Sequence, residues 1–208
     1  MLRILYEHED REFMERVWSF RYVRFVEQLG WANLRRPDCR ERDRFDHDHA
    51  LHVALLLHDE IIGYSRLLPT TISYLSAEVS GAKVNLPSGP EIFEWTRCAT
   101  ALDAPCVAGV AASDILMTGV LECLLHLGAK RILFLTHPSL IQMMRRRGYP
   151  VEILATLAAD HSGPVQIASA EVCFKLLCLQ RKAYGINGSL VSWGNVGNSF
   201  LNLCPKAA

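Results

Sequence analysis

Short apolar segments of strand length alternate along the chain with amphipathic segments of helix length, and this alternation most restricts the possible folds. Residues 51–57 and 61–68 are two apolar runs separated by three polar residues, a spacing that predicts a β-hairpin. Residues 10–29 repeat apolar side chains at three- and four-residue steps, which predicts a helix. Strands and helices in this order predict an α/β fold, in the form of an α+β sandwich around one sheet.

The other predicted elements rest on the same two periodicities. The further strands are residues 2–6, 91–97, 131–136, 151–156 and 165–168, and the further helices are residues 111–127, 138–147 and 170–181. Residues 32–50 and 70–90 show no sustained periodicity, and connections of that length are often functional. We expect residues 1–208 to form a single domain, because this length suits one hydrophobic core.

The composition argues against several classes of partner and compartment. With 22 basic and 22 acidic side chains the formal net charge is zero, so no global field favours nucleic acid or an anionic membrane. No apolar run approaches the roughly 18 residues that a membrane span needs. The seven cysteines include no CxxC pair, which favours reduced thiols in the cytoplasm over a disulfide framework or a zinc knuckle.

Three histidines, His47, His49 and His52, lie close together where the first irregular segment meets the predicted hairpin. Their spacing matches no standard set of metal ligands. We therefore predict no metal site and expect these histidines to be solvated.

Charged residues also stand where core residues are expected. Arg66 lies inside the apolar segment IIGYSRLL, and Glu94 and Arg97 lie inside IFEWTR. Taken singly, Arg66 and Glu94 could each point outward from its strand. Glu94 and Arg97 fall on opposite faces by strand alternation, unless the strand bulges between them.

Two further groups belong to the first helix and the irregular segment after it. Arg21 and Phe25 are four residues apart, so a helix places them on one face, and Trp31 follows shortly afterwards. Asp43 and Asp46 stand three positions apart in the polar segment. Each group alone has an ordinary explanation, which is a solvated charge for the arginine and turn formation for the aspartates.

In their order and approximate spacing, these residues resemble the signature of the acyl-homoserine-lactone synthase family, also called autoinducer synthases. The eight matching positions are Arg21, Phe25, Trp31, Asp43, Asp46, Arg66, Glu94 and Arg97. The resemblance covers roughly residues 1–155 and implies an N-acetyltransferase-like fold, which is a mixed twisted sheet flanked by helices. Where many members have Glu-Ser-Ser-Arg, this chain has Trp95 and Thr96 between the two charged residues.

The resemblance implies an acyltransferase that makes an N-acyl-L-homoserine lactone, a quorum-sensing signal, from S-adenosylmethionine and an acyl thioester. Both molecules are substrates, and no cofactor is expected. The amine of S-adenosylmethionine attacks the thioester, and lactonisation then releases methylthioadenosine. Glu94, directly or through a water, is the candidate base for the amine, and Arg97 would orient Glu94 or keep it ionised.

The same resemblance assigns the other six residues to S-adenosylmethionine, which carries groups of both charge signs. The two aspartates would face its cationic groups. Phe25 and Trp31 would form apolar walls for the adenosine or the sulfonium. Arg21 and Arg66 would hold its carboxylate or the acidic side chains.

An acyl chain needs an apolar tunnel, and the segments after residue 110 offer candidates. These are Leu116, Leu121, Leu125, Leu133, Phe134, Met143 and Met144. Any of them could equally be an ordinary core residue. The position that often carries Thr in members making 3-oxo-acyl lactones corresponds to Phe134, which favours an unsubstituted or otherwise apolar chain.

The sequence leaves open whether the acyl group arrives on acyl carrier protein or on coenzyme A. A basic cluster could contact the acidic surface of a carrier protein, and its residues are Lys130, Arg131, Arg145, Arg146 and Arg147. These cations could equally stabilise the negative end of a helix dipole.

Two other functions fit parts of the sequence. An acetyl-CoA-dependent N-acetyltransferase shares the expected fold, but its usual Arg/Gln-x-x-Gly-x-Gly/Ala turn is absent from residues 108–113. A non-catalytic ligand-binding module would have no need of Glu94 and Arg97. Release of methylthioadenosine would distinguish all three functions.

Overall fold

The computed structural model describes residues 1–81, 84–160 and 163–193. These residues divide into two compact units. Unit 1 contains residues 1–67, 97–120 and 188–193, and unit 2 contains the described parts of residues 68–96 and 121–187. The single domain expected over residues 1–208 stays a prediction.

The described residues form eight strands and five α-helices, which confirms the predicted α/β fold class. The strands are β1 (Leu2–Tyr6), β2 (Leu51–Leu57), β3 (Glu60–Pro69), β4 (Ile92–Thr100), β5 (Arg131–Thr136), β6 (Val151–Asp160), β7 (Gly163–Glu171) and β8 (Val191–Trp193). The helices are α1 (Arg11–Arg21), α2 (Leu75–Ser80), α3 (Ala112–His126), α4 (Pro138–Arg146) and α5 (Phe174–Tyr184). Within the described ranges, none of these helices has the length and apolar character that crossing a bilayer requires.

The sheet of unit 1 has the order β3-β2-β1-β8 and mixes antiparallel with parallel pairs. β2 pairs antiparallel with both β1 and β3, and β8 runs parallel to β1. The β2–β3 register places His52 opposite Arg66 and Ala54 opposite Tyr64, so these four side chains share one face. Side chains of α1 pack on this face against Ala54 and Tyr64.

A polar cap and a change of helical pitch define α1 and the segment that follows. The Asp10 carboxylate accepts a hydrogen bond from the Phe13 N–H at 2.9 Å, which satisfies a free amide at the helix start. The helix ends at Arg21, and Tyr22–Gln28 is π-helical, a rare geometry that is frequent at functional sites. The single helix predicted over residues 10–29 is therefore two segments of different pitch.

One close contact joins α3 to the sheet of unit 1. Gly119 lies against Leu2 of β1, and a Cβ at this position would come within 2.5 Å of the Leu2 side chain. Glycine weakens a helix interior, but its missing side chain lets this helix and this strand approach each other.

The sheet of unit 2 has the order β6-β7-β5-β4. β4 and β5 run parallel, whereas β7 pairs antiparallel with both β5 and β6. The register places Glu94 of β4 beside Leu133 of β5. α2 packs against β5, and α4 packs against β6 and β7.

Four observed elements, β7, α5, α2 and β8, differ from the sequence predictions. β7 continues to Glu171, because Ala170 still pairs with both neighbouring strands. The helix predicted to begin at residue 170 therefore begins at Phe174. α2 lies inside residues 70–90, which were expected to be irregular. β8 has only three residues, which is too few for a periodicity to show.

Candidate active site

Three arginines and three carboxylates of unit 1 form a closed ring of alternating charge. Each residue is hydrogen-bonded to the next, in the order Arg21, Asp46, Arg66, Asp43, Arg97, Glu41 and back to Arg21. We call these six residues the charge ring. Five of them belong to the predicted set, and the sixth, Glu41, does not.

Arg21 occupies the end of α1 and directs its whole guanidinium group into the charge ring. Its Nε donates to Glu41 Oε2 at 2.6 Å, and its two Nη atoms donate to the two oxygens of Asp46 at 2.7 and 3.0 Å. The side chain has no exposed surface. Paired parallel hydrogen bonds of this kind are the strongest that an arginine makes with a carboxylate.

Arg66 on β3 bridges the two aspartates of the loop. Its Nη1 donates to Asp43 Oδ1 and to Asp46 Oδ1, each at 2.7 Å, and its Nη2 donates to Asp43 Oδ2 at 3.1 Å. The side chain is fully buried. The outward orientation considered for Arg66 is wrong, because the two carboxylates offset the cost of removing the guanidinium from water.

Arg97 closes the charge ring from β4. Its Nη2 donates to Asp43 Oδ2 at 2.9 Å and to Glu41 Oε1 at 3.2 Å. Its backbone adopts a left-handed conformation, with φ of 55°, which interrupts the regular alternation of side chains along β4 at this residue. These contacts direct Arg97 to the charge ring, and its pairing with Glu94 stays a prediction.

The loop between α1 and β2 carries all three carboxylates of the charge ring. Hydrogen bonds between neighbouring loop residues hold the two aspartates in position. The Asp43 N–H donates to Asp46 Oδ2 at 2.8 Å, and the Phe45 N–H donates to Asp43 Oδ1 at 2.9 Å. These are the turn-forming bonds that aspartate commonly makes. The Glu41 N–H donates to the Trp18 carbonyl at 3.1 Å, which ties the loop to α1.

The arginines keep all three carboxylates ionised near neutral pH. Burial alone would raise the pKa of Asp46, but Arg21 and Arg66 outweigh it and hold that pKa well below its usual range. The pKa values of Glu41 and Asp43 are lowered in the same way, by neighbouring arginines acting against burial. With three positive and three negative groups, the charge ring is neutral as a whole.

His52 and Tyr64 form a buried pair beside the charge ring. His52 Nδ1 lies 2.7 Å from the Tyr64 hydroxyl, and Arg21 Nη1 donates to that hydroxyl at 3.5 Å. His52 Nε2 has no hydrogen-bond partner among the described residues. Burial lowers the pKa of His52 to about 3, with Asp46 opposing the effect and Arg21 assisting it. The expectation of a solvated His52 is wrong, because β2 places it opposite Arg66 in the interior.

Two aromatic rings lie beside Arg97. The rings of Phe25 and Trp31 stack with their centroids 5.0 Å apart. The central guanidinium carbon of Arg97 lies 5.7 Å from the Phe25 ring centroid and 5.1 Å from the Trp31 ring centroid. Contacts at this range are cation–π interactions. Three of the eight predicted residues therefore lie together at this point of unit 1.

Exposure divides this part of the site into an inner and an outer set. The side chains of Arg21, Arg66 and Glu41 have no exposed surface, and that of Asp46 is 2% exposed. The outer set is accessible, with side-chain exposures of 17% for Asp43 and 8% for Arg97 and a residue exposure of 39% for Trp31. A ligand can touch the outer set, whereas the inner set acts on a ligand only through it.

Glu94 lies in unit 2 and caps the start of α2. Its Oε2 accepts a hydrogen bond from the Leu75 N–H at 2.8 Å, and its Oε1 accepts one from the Ser76 N–H at 2.7 Å. The Ser76 hydroxyl also donates to Oε1. Glu94 and Ser76 are both fully buried. A carboxylate at a helix start is stabilised by the free amides and by the helix dipole.

The candidate acyl-chain residues fall into several environments. In unit 2, Leu121, Leu133, Phe134 and Met144 are buried, whereas Leu125 and Met143 are half-buried; Leu116 is buried in unit 1. Because successive strand residues alternate between faces, Leu133 and Phe134 point to opposite sides of β5. Trp95 of β4 packs on Tyr149, with ring centroids 6.1 Å apart. The acyl-chain assignments stay predictions.

Several residues of the basic cluster are paired with other residues of this protein. Lys130 pairs with Glu91 at 2.7 Å, and Arg131 pairs with Glu152 at 3.3 Å. The remaining three are Arg145, which donates to the Val151 carbonyl, Arg146, which is exposed, and Arg147, which is half-buried. Their contact with a carrier protein stays a prediction.

Sequence reasoning missed Glu41, Tyr64 and Ser76, which hydrogen-bond to predicted site residues. Glu41 belongs to the segment Glu41-x-Asp43-x-x-Asp46, so the spacing of acidic residues offered a signal. Ser76 gave no signal, because its contact with Glu94 spans 18 residues. No group of three or more potential ligand residues in the described part of the chain could hold a metal ion.

The chain is similar over most of its length to one protein family. Residues 5–171 match the family model described as autoinducer synthase. An acyl-homoserine-lactone synthase of Ralstonia nicotianae is 33% identical over 156 residues, which cover 71% of this chain and 72% of that protein. The isovaleryl-homoserine lactone synthase of Bradyrhizobium diazoefficiens is 37% identical over 98 residues, which cover 46% of this chain and 43% of that protein.

Solved structures of acyl-homoserine lactone synthases share this fold. The CoA-dependent synthase BjaI, solved with SAM and isopentyl-CoA, superposes with a TM-score of 0.82 at 25% identity, over 90% of each chain. The CoA-dependent synthase MesI superposes with a TM-score of 0.79 at 28% identity, over 93% of this chain and 100% of MesI.

Replacing Glu41 by Gln should lower the free energy of unfolding by about 3 kcal/mol, because a broken buried ion pair leaves its partners without a counter-charge. Those partners are Arg21 and Arg97. Urea unfolding followed by circular dichroism measures the change. The matched control is Glu15→Gln, which removes a half-exposed carboxylate paired with Arg40 and should cost less than about 1 kcal/mol. Equal losses in both variants would contradict this account.

His52 should make the protein less stable as the pH falls. Its pKa is about 3 when folded, against an ordinary value of 6.5. The unfolded chain therefore binds one more proton between these values, so stability present above pH 6.5 is lost as the pH decreases. Between about pH 7 and about pH 5.5, this group should lower the free energy of unfolding by about 1 kcal/mol.

Urea unfolding at the two pH values tests this assignment. The variant His52→Phe should lose that part of the decrease, and the variant His49→Phe, at an exposed histidine of the same segment, should keep it. A His52→Phe protein with the pH dependence of the parent would show that another group titrates.

Proposed function

The chain belongs to the autoinducer synthase family, and on this premise we propose that it is an acyl-homoserine-lactone synthase. It transfers an acyl group to S-adenosylmethionine and releases an N-acyl-L-homoserine lactone. The observation that carries the proposal is the charge ring with Phe25 and Trp31 beside Arg97. Such a site offers both charge signs and a π surface, and these are the features that a sulfonium amino acid can use.

Two bonds form and two break in the proposed reaction. The amine nitrogen attacks the thioester carbonyl, an amide bond forms, the C–S bond breaks, and the thiolate takes up a proton and leaves. The methionine carboxylate then attacks its own γ-carbon, so that a C–O bond closes the lactone. The C–S bond of the sulfonium breaks in this step, its electron pair stays on sulfur, and neutral methylthioadenosine leaves.

We assign the direct contacts with S-adenosylmethionine to the outer set. The Asp43 carboxylate would face the ammonium or the sulfonium, and Arg97 would face the carboxylate. Trp31 would cover the adenosine or the sulfonium, as its exposed ring allows. Asp43 and Arg97 are already paired at 2.9 Å. A zwitterionic ligand could therefore place its cationic group beside Asp43 and its carboxylate beside Arg97, which adds one more pair of opposite charges to the ring.

The inner set would hold the outer set in place. Arg66 fixes both oxygens of Asp43, and Glu41 fixes Arg97. A preorganised site of this kind loses little entropy when the ligand binds. Arg21, Asp46 and Phe25 would therefore contribute to binding through their neighbours.

Glu94 is our candidate base for the amine. A base must be ionised before it acts, and three hydrogen bonds from amide and hydroxyl donors favour the ionised carboxylate. The three donors reach both oxygens of Glu94 and so fix the orientation of its carboxylate. Because Glu94 has no exposed surface, we assign it the removal of the ammonium proton through an intervening water.

We propose coenzyme A as the carrier of a short or branched acyl group. Two similar solved structures are of CoA-dependent synthases, which supports this carrier. The pairing of Lys130 and Arg131 with acidic residues weakens the positive surface that a carrier protein would contact. The buried aromatic rings of Trp95, Tyr149 and Phe134 leave less room for a long chain on their side of the sheet.

One assay tests both the function and the donor. The purified protein is mixed with S-adenosylmethionine and one acyl group carried either by coenzyme A or by acyl carrier protein, and methylthioadenosine and lactones are measured by mass spectrometry. We expect methylthioadenosine and acyl-homoserine lactone in equal amounts, with a higher kcat/KM for the coenzyme A donor. An acetyltransferase would release no methylthioadenosine, and a binding module would consume neither substrate. A preference for the carrier protein would reject our donor assignment alone.

Glu94→Gln should lower kcat by about 100-fold or more, because a positioned base contributes on this scale. The matched control is Glu91→Gln, three positions earlier in sequence, where the exposed carboxylate pairs with Lys130. It should keep kcat within about twofold. Circular dichroism must show that both variants are folded, and a folded Glu94→Gln enzyme with full activity would exclude the base.

A further inference from the structure

We propose that Ser76 is a positioning residue that sets the orientation and the ionisation of Glu94. This inference rests on the acyl transfer proposed above. Ser76 is the second residue of α2, a helix that the sequence did not predict, and nothing in the family resemblance includes it. Its role follows from two donors that it aims at the same carboxylate oxygen.

Ser76 holds Glu94 through a backbone bond and a side-chain bond. The Ser76 N–H donates to Glu94 Oε1 at 2.7 Å, and the Ser76 hydroxyl donates to the same atom. The Leu75 N–H donates to the other oxygen at 2.8 Å. The three donors approach both oxygens, so they fix the plane of the carboxylate as well as its position.

Of the three donors to Glu94, only the Ser76 hydroxyl is lost when the side chain at position 76 is changed. The two amides reach Glu94 whatever residue occupies position 76, because they belong to the first turn of α2. The hydroxyl is buried with the carboxylate, and Ser76 and Glu94 have no exposed surface, so bulk water cannot replace it. A buried hydroxyl that donates to a carboxylate stabilises the ionised form and lowers its pKa.

Ser80 provides the matched control on the same short helix. It is also buried, and its hydroxyl donates to the Ala77 carbonyl at 3.3 Å. Ser80→Ala thus removes a buried hydroxyl from α2 without removing a donor from Glu94. Any general effect of Ser→Ala on the helix should appear equally in both variants.

The experiment compares the full-length parent with Ser76→Ala, Ser76→Thr and Ser80→Ala. Protein labelled with carbon-13 at the glutamate side-chain carboxyl carbon is titrated by NMR, and the Glu94 signal is assigned by its loss in Glu94→Gln. We expect the Glu94 pKa to rise by about one unit in Ser76→Ala, the shift expected from losing one charge-assisted hydrogen bond. Ser80→Ala should leave it unchanged, and Ser76→Thr should restore most of the parental value.

Kinetics supply a second measurement. In Ser76→Ala we expect kcat to fall about tenfold, because a misoriented base transfers protons more slowly. The KM for S-adenosylmethionine should stay within about twofold, since the outer set is unchanged. A merely structural role would instead change kcat, KM and the melting temperature together, and would do so in Ser80→Ala as well.

The outcomes distinguish the two proposals. An unshifted Glu94 pKa in Ser76→Ala overturns the role of Ser76, whatever the activity. A parent protein that releases no methylthioadenosine overturns the proposed function, but the NMR titration still tests the contact. A shifted pKa with unchanged kcat overturns the assignment of Ser76 to catalysis, because Glu94 would then not be the base. If Ser76→Thr does not fold, the comparison of the two alanine variants decides alone.

Discussion

In the charge ring, six buried or partly buried charged side chains hydrogen-bond to one another instead of to water. The arrangement of unit 1 depends on this ring being closed. Each carboxylate faces two guanidinium groups, and each guanidinium group faces two carboxylates. Burying a single charge is costly, and a buried pair compensates for this cost only when its geometry is good and its other hydrogen bonds are made. Because the ring is closed, each of its six residues has charged partners on both sides and so meets these conditions. The ring also joins α1, the following loop, β3 and β4, which are distant in sequence.

The two kinds of carboxylate in this protein suit different chemistry. Glu41, Asp43 and Asp46 are held by arginines that lower their pKa values, so they are poor proton acceptors and good fixed charges. Glu94 is held by two backbone amides and a serine hydroxyl, which are neutral donors. We assign the three arginine-bound carboxylates to the charged groups of the ligand, and Glu94 to the proton.

The sequence predicted residues whose type was improbable for their position, and it missed residues whose importance depends on long-range contacts. Arg66 was noticeable because an arginine inside an apolar strand needs a partner. Tyr64 and Glu41 needed no such explanation, since a tyrosine is ordinary in a strand and a glutamate is ordinary in a loop. His52 was misassigned because loop and strand meet within three residues of it, and only the pairing of β2 with β3 decides which face it occupies.

The elements show the same limits. Long periodic segments such as α3 and β5 were predicted nearly to their ends, whereas α2 and β8 were not predicted. α2 has six residues and begins under a carboxylate that lies 18 positions later, and such a short helix is not stable without its tertiary contacts. The π-helical segment after α1 was also missed, because π- and α-helices of this length differ too little in apolar spacing for a sequence pattern to separate them.

The stacking of Trp31 has an optical consequence. Among the tryptophans whose side chains the structure describes, Trp31 is 39% exposed as a residue, whereas Trp18 and Trp95 are 1% and 6% exposed. An aqueous quencher such as acrylamide therefore reaches Trp31 and is shielded from the other two. Because Trp31 also lies 5.1 Å from the Arg97 guanidinium, the quenchable fluorescence from the three tryptophans whose exposure the structure describes arises beside the outer set. The chain thus carries a native spectroscopic reporter for whatever comes to cover that surface.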